Sequence, residues 1–129
     1  MIIVFEHIPD AGQRLAAAQE RLETSVRSHG LKPIRYPGGR SYAKFRDLLE
    51  LGRAEAEGDS FVWCNSDVEL KKNPYDLVGD ERVHGFHRTE RPSGETTYGV
   101  DMYLIPCKVW DDYLCKDIPD LYCGTSFVD

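Results

Sequence analysis

Residues 60–67 read Ser60-Phe61-Val62-Trp63-Cys64-Asn65-Ser66-Asp67. Four consecutive apolar side chains followed at once by three polar ones is the pattern of a strand buried on both faces whose carboxyl end opens onto a turn. Such a strand needs helices on both sides, and the upstream sequence offers them. Tyr42, Phe45, Leu49, Gly52 and Ala56 mark one face of a helix and Arg46, Glu50, Arg53 and Glu57 the other, with Gly58 as its C-terminal stop. Before it, Pro37-Gly38-Gly39 breaks the chain and Pro33 to Tyr36 forms a short strand. Earlier still, Leu15, Ala18, Leu22 and Val26 recur at helical spacing up to Gly30, with Asp10 as N-cap and Gln13 closing a capping box. The continuous run Ile2 to Phe5 is a further buried strand. The series predicts a βαβαβ unit, and right-handed crossovers place the strand carboxyl ends along one edge, where ligands bind. Asn65 to Asp67 fall on that edge.

Downstream of Pro74 the pattern changes. Val83 to Arg88 and Val100 to Ile105 read as strands separated by the polar stretch Thr89 to Tyr98, expected to be a hairpin or flap. Val109, Trp110, Tyr113 and Leu114 give a short helical set after Pro106, and Ile118 to Phe127 closes the chain. A receiver-type domain, which alternates strands and helices to its end, does not fit this strand-rich half.

With 16 Lys plus Arg against 22 Asp plus Glu, the formal charge of −6 argues against a general nucleic-acid binder, whose affinity comes from excess basic charge. At 41% hydrophobic residues in 129, the chain is long and apolar enough for one domain with a real core. Glu6 interrupts the apolar start before a signal core or bilayer span can form, so a soluble, cytoplasmic protein is expected. Cys64, Cys107, Cys115 and Cys123 show no CxxC spacing and read as buried free thiols.

Asn65 and Asp67 offer oxygen ligands one residue apart at a strand end. That suits Mg²⁺ or Mn²⁺, hard cations that take few protein ligands and share substrate phosphates. The same three residues are also ordinary turn formers. Pro37-Gly38-Gly39-Arg40, opening the second helix, offers amides to a phosphate, with Arg40 and Lys44 as cations facing a diphosphate; a plain connecting turn is the other reading. His84 and His87 lie three apart on a strand and point to opposite faces unless a bulge intervenes. Trp63 and Trp110 more often fill a core than stack on a sugar, and Trp63 sits inside a buried strand; of the aromatics, Trp110 and Tyr113 have the better claim to an acceptor site.

From Gly39 to Leu70 the stretch GRSYAKFRDLLELGRAEAEGDSFVWCNSDVEL resembles the central signature of GT-A type, family-2-like glycosyltransferases: a helix ending in Ala56-Glu57-Gly58-Asp59, an apolar strand, and a DxD-type motif held here by Asn65-Ser66-Asp67. Gly99 to Pro106, Trp110 and Tyr122 to Thr125 also look like such enzymes. The resemblance implies a GT-A-like (Rossmann-like) three-layer α/β/α domain over 1–129 with a mostly parallel mixed sheet. Its nucleotide-binding half is 1–67 and its acceptor-side half 68–129. It further implies metal-assisted transfer of a sugar from a nucleoside-diphosphate donor to a hydroxyl acceptor. Asp67 becomes the principal metal and diphosphate ligand and Asn65 the second, also touching ribose or sugar hydroxyls. Asp101 becomes the residue on the donor or acceptor sugar, and Asp129 the catalytic base. Asn65 in the first acidic position raises a second reading, an inert nucleotide-sugar-binding or accessory module of the same fold, for example one encoded by a mobile element.

Overall fold

The computed structural model describes residues 1–9, 12–37, 43–77, 80–89 and 96–118. It is an α/β structure. Strands β1 (Ile2–His7), β2 (Lys32–Pro37), β3 (Ser60–Cys64), β4 (His84–Thr89) and β5 (Thr96–Pro106) form one sheet in the order β2-β1-β3-β5-β4. Helix α1 (Gln13–Ser28) joins β1 to β2, and α2 (Phe45–Glu55) joins β2 to β3. Both β1 pairings are parallel, whereas β5 runs antiparallel to β3 and to β4, so the sheet is parallel only in its first half. The antiparallel β4–β5 pairing reverses the chain between them, and most of the stretch expected as a hairpin or flap, residues 90–95, lies outside the described residues.

Alternation along the strands divides the core in two. Ile2, Val4, Phe61, Trp63 and Ile105 gather with Leu48 and Leu49 of α2, whereas Ile3, Phe5, Val62, Cys64 and Leu104 gather with Leu22 and Val26 of α1. Each fully buried side chain of this size contributes about 1.5–3 kcal/mol. Residues 2–5 of β1 and 61–64 of β3 are apolar without a break because neither face of these strands reaches water. Trp63 stacks on Tyr103 with ring centroids 5.9 Å apart and meets Phe45 edge-on at 4.8 Å. Of the two readings of Trp110, core and acceptor site, the structure takes the first: it is a core residue packed edge-on against Phe61. Tyr113 is exposed. The indole of Trp110 is drawn inward because α2 and the closing helical pieces Cys107–Val109, Trp110–Leu114 (a π-helical turn) and Cys115–Asp117 are tied together. Arg53 grips both carboxylate oxygens of Asp111 at 3.0 Å, and Arg46 donates to the carbonyls of Cys115 and Ile118.

The start of α1 departs from expectation. Its N-cap is Gly12, with no side-chain cap, so no Asp10 capping box opens the helix; Asp10 itself lies outside the described residues. The β1 exit is fixed from further along. The buried Gln19 amide accepts from Ile8 N–H at 2.8 Å and donates to Ile8 C=O at 3.1 Å. Gly30, with φ of +74°, ends α1 in the left-handed conformation that favours glycine. Helix α2 stops at Glu55, before Gly58, because Ala56 is already extended.

The sheet edges are irregular. In β2 Pro33 and Pro37 stand opposite Ile3 and His7, and β4 carries register shifts between Gly85 and His87 and between His87 and Arg88. Among the described residues Cys64, Cys107 and Cys115 are free thiols, the first two buried; Cys123 lies outside them. No helix of the described residues is long and apolar enough to cross a membrane.

One ion pair gives the fold an acid-sensitive element. Glu23 on α1, 7% exposed, is held by Arg35 of β2 through both carboxylate oxygens. That hydrogen-bonded guanidinium outweighs burial and lowers the Glu23 carboxyl below its ordinary 4.5. A lowered folded-state value means the stabilisation is complete above 4.5 and lost as pH falls through the folded value. Urea unfolding of Glu23→Gln should show a deficit of about 1 kcal/mol at neutral pH that closes as the acid range is entered. A deficit unchanged by pH would contradict this assignment.

Candidate functional site

The site is built where β3 ends. Beyond Cys64 the Asn65 N–H donates to the Asp101 carbonyl at 2.8 Å, extending the β3–β5 ladder by one bond, and the Asn65 side-chain Nδ2 donates to Asp101 Oδ1 at 2.8 Å. Asp101 is 9% exposed, and part of its carboxylate is satisfied by this amide. Ser66 and Asp67 make the turn, and Val68 and Leu70 fold back onto the α1-side core. The Leu70 N–H donates to the buried Ser25 Oγ of α1 at 3.0 Å, while that hydroxyl donates to the Leu22 carbonyl at 2.8 Å. This stitch fixes the segment after Asp67 against α1. Asn73 then caps the 3₁₀ turn Pro74–Asp76, and the Tyr75 hydroxyl donates to the Ile2 carbonyl.

Between this segment, α1 and the β4–β5 hairpin lies an open cavity of about 590 Å³. Its lining includes the acids Asp67, Glu69 and Asp101, the cations Arg21, Lys71 and Lys72, and His87, with apolar surface from Phe86, Met102 and Leu77. A second cavity of about 630 Å³ runs along α1 from Gly12 to Arg21 and shares Arg21 and Asp67 with the first. Balanced charges of both signs suit a phosphate-bearing ligand held by cations, with carboxylates left for hydroxyls or a divalent ion. Cys64 lies beneath the site but is no nucleophile. Burial pushes its thiol far above the ordinary value of 9.0, and the charges of Asp67 and Asp101 add to the effect.

No protein-family model matches the chain, and no curated protein matches its sequence. Among solved structures it is similar to the crystal structure of a glycosyltransferase involved in the glycosylation of the major capsid of PBCV-1, with a TM-score of 0.51 and 14% identity. The match covers 92% of this chain and 70% of that one. The fold is glycosyltransferase-like. At that identity the likeness speaks for architecture, and the chemistry has to be argued from the cavity.

The structure brings Asp67 and Asp101 to one cavity, and Asn65 to Asp101. Lys44 is set apart from them: it precedes α2 next to Ala43, whose N–H donates to the buried Glu6 carboxylate at 2.8 Å, and it lines neither cavity. Arg40 and Asp129 lie outside the described residues. His84 Nε2 donates to Asp80 Oδ1 at 2.6 Å, whereas His87 lines the cavity; despite the bulged strand the two have different surroundings. The basic residues that do reach the cavity, Arg21, Lys71 and Lys72, were not among the expected donor contacts. Lys71-Lys72 is too short a run to stand out in a sequence, and Arg21 sits on the solvent side of α1. Its helical register with Arg14 is the signal that could have found it.

Proposed function

We propose that this chain binds a nucleoside-diphosphate sugar and transfers the sugar to a hydroxyl acceptor, in the manner of a GT-A domain with α/β/α layering. Residues 1–67 form the nucleotide half and 68–129 the acceptor side. The observation that carries the proposal is the convergence of Asp67 and Asp101 on one cavity with Arg21, Lys71 and Lys72, at the carboxyl end of β3 on a glycosyltransferase-like sheet.

In this reading Arg21, Lys71 and Lys72 take the charge of the diphosphate. The Asp101 carboxylate, held by the Asn65 amide, accepts the acceptor hydroxyl's proton as its oxygen bonds to the anomeric carbon and the bond from that carbon to the diphosphate breaks. The donor set also fits Mn²⁺ or Mg²⁺. Among the described residues no three His, Cys, Asp or Glu side chains converge as a closed cage, and these hard cations need only one or two carboxylates plus substrate phosphates. Asp67 would hold the ion, with the Asn65 amide oxygen as second ligand, which leaves the Asp101 carboxylate to act as the base. The ion's chemistry would be to neutralise charge on the departing diphosphate.

Calorimetric titration of UDP, GDP and their sugar conjugates with Mn²⁺ present tests the proposal. Asp67→Ala is expected to weaken binding by about ten-fold or more. Absence of binding to any of them, or binding indifferent to Asp67→Ala, overturns it.

One observation favours the inert-module alternative: Asn65, in the first position of the DxD-type motif, spends its side-chain donor on Asp101. Slow hydrolysis of the donor, followed as release of nucleoside diphosphate and abolished by Asp101→Asn, rejects that alternative.

A further inference from the structure

We propose that α1 carries a second subsite, between Arg14 and Arg21, that binds an oxyanion (a phosphate or carboxylate) borne by the acceptor. The word acceptor rests on the transferase reading above; the subsite itself rests on the geometry that follows.

Arg14, Ala18 and Arg21 stand at helical spacings of four and three and so share one stripe of α1, the two arginines about 10 Å apart along the axis. Ala18 between them is 8% exposed and too short to fill the gap, so it forms the floor of a notch walled by two long cationic side chains. All three residues line the second cavity, together with Gly12, Gln13, Leu15 and Asp67. That volume of about 630 Å³ accommodates a sugar-sized molecule.

Neither guanidinium is paired within the described protein, and Arg21, shared by the two cavities, is the one a bound diphosphate would also engage. Arg27 and Arg35 are tied to Glu23, Arg53 to Asp111 and Arg46 to main-chain carbonyls. Arg14 and Arg21 form no hydrogen bond or ion pair with any described residue. A guanidinium presents its donors as a planar fork matched to phosphate and carboxylate oxygens. Asp67, the one acid among the described residues of the lining, sits at the junction with the first cavity, at the Arg21 end of the notch and away from Arg14. In a chain of formal charge −6 the long-range field repels anions, so capture here is local and weakens as salt screens it. An acceptor anchored in this notch lies next to the donor cavity, across Arg21 and Asp67.

The test is calorimetric titration of the whole chain with glucose 6-phosphate, glucuronate and glucose, at low and high salt. Binding of either acidic sugar, with glucose about ten-fold weaker or worse, is expected; which acid binds shows whether phosphate or carboxylate is read. Arg14→Ala and Arg21→Ala should each weaken that binding about ten-fold, and Arg14→Lys should recover part of it. Both arginines are exposed, so the variants keep the fold. Equal binding of all three sugars, binding of neither acid, or indifference to Arg14→Ala overturns the proposal. Arg14 lines only the second cavity, so UDP and GDP titrations on the same samples separate the two ideas. Acidic sugar bound through Arg14 without any nucleoside diphosphate keeps the subsite and removes the transferase reading; nucleoside diphosphate bound without acidic sugar does the reverse.

Discussion

Phe61→Ala is expected to lower the unfolding free energy by about 3–5 kcal/mol, the cost of emptying a large, fully buried site at the centre of the sheet. The ring is held between β3 and α2, and it also supports the edge of Trp110 at 6.2 Å. What makes the position informative is its partner. A Cβ placed on Gly52 would lie 2.7 Å from Phe61 Cδ2 and 2.9 Å from Val4 Cγ1, distances at which something has to move. The glycine is therefore what lets α2 approach the sheet closely. Gly52→Ala in the native background should cost about 1–3 kcal/mol through overpacking, despite alanine's advantage of up to about 1 kcal/mol within a helix. In the Phe61→Ala background the methyl enters the vacated space, and the same substitution should become neutral or stabilising. Urea unfolding of the four proteins measures the coupling; strict additivity would contradict the close approach.

Asn65→Asp is the second substitution with a large expected effect. It replaces the donor that now meets Asp101 Oδ1 at 2.8 Å with another carboxylate, in a place where Asp101 has little access to water. Two unscreened negative charges at that separation, with one hydrogen bond lost, should cost about 1–3 kcal/mol at neutral pH. Asn65→Ala loses the hydrogen bond alone and should fall between that variant and the native protein. A divalent cation is the natural remedy for facing carboxylates. Millimolar Mn²⁺ should therefore raise the melting temperature of Asn65→Asp more than that of the native chain, since a ligand that binds only the folded state stabilises it. A variant as stable as the native protein without added cation would mean that the Asn65 amide does not hold Asp101.

These two sites also show what a sequence reveals and what it conceals. Strand β3 was legible from 60–64 because an unbroken apolar run has few other uses, and β1, β2 and both helices followed from their spacing. The strand-rich second half was legible too, although its antiparallel register was not. That register decides the site: pairing Cys64 with Met102 brings Asn65 beside Asp101, and no local pattern in either stretch specifies it. The β1 exit was not legible either, because Gln19, a turn and a half into α1, holds the Ile8 backbone from a distance that no local pattern shows. Which of its two readings Trp110 takes was hidden for a similar reason. Its burial depends on Arg46 and Arg53, more than fifty residues upstream, which clamp the closing helical pieces onto α2.

The irregular sheet edges bear on how the protein behaves when crowded. A bare edge strand is a template on which another molecule can pair, and growth by that route leads to insoluble fibrils. Along β2 the prolines at 33 and 37 supply no N–H for an incoming strand, and along β4 the register shifts around His87 spoil the even spacing that such pairing needs. With both borders spoiled in different ways, the two edge strands themselves resist polymerising.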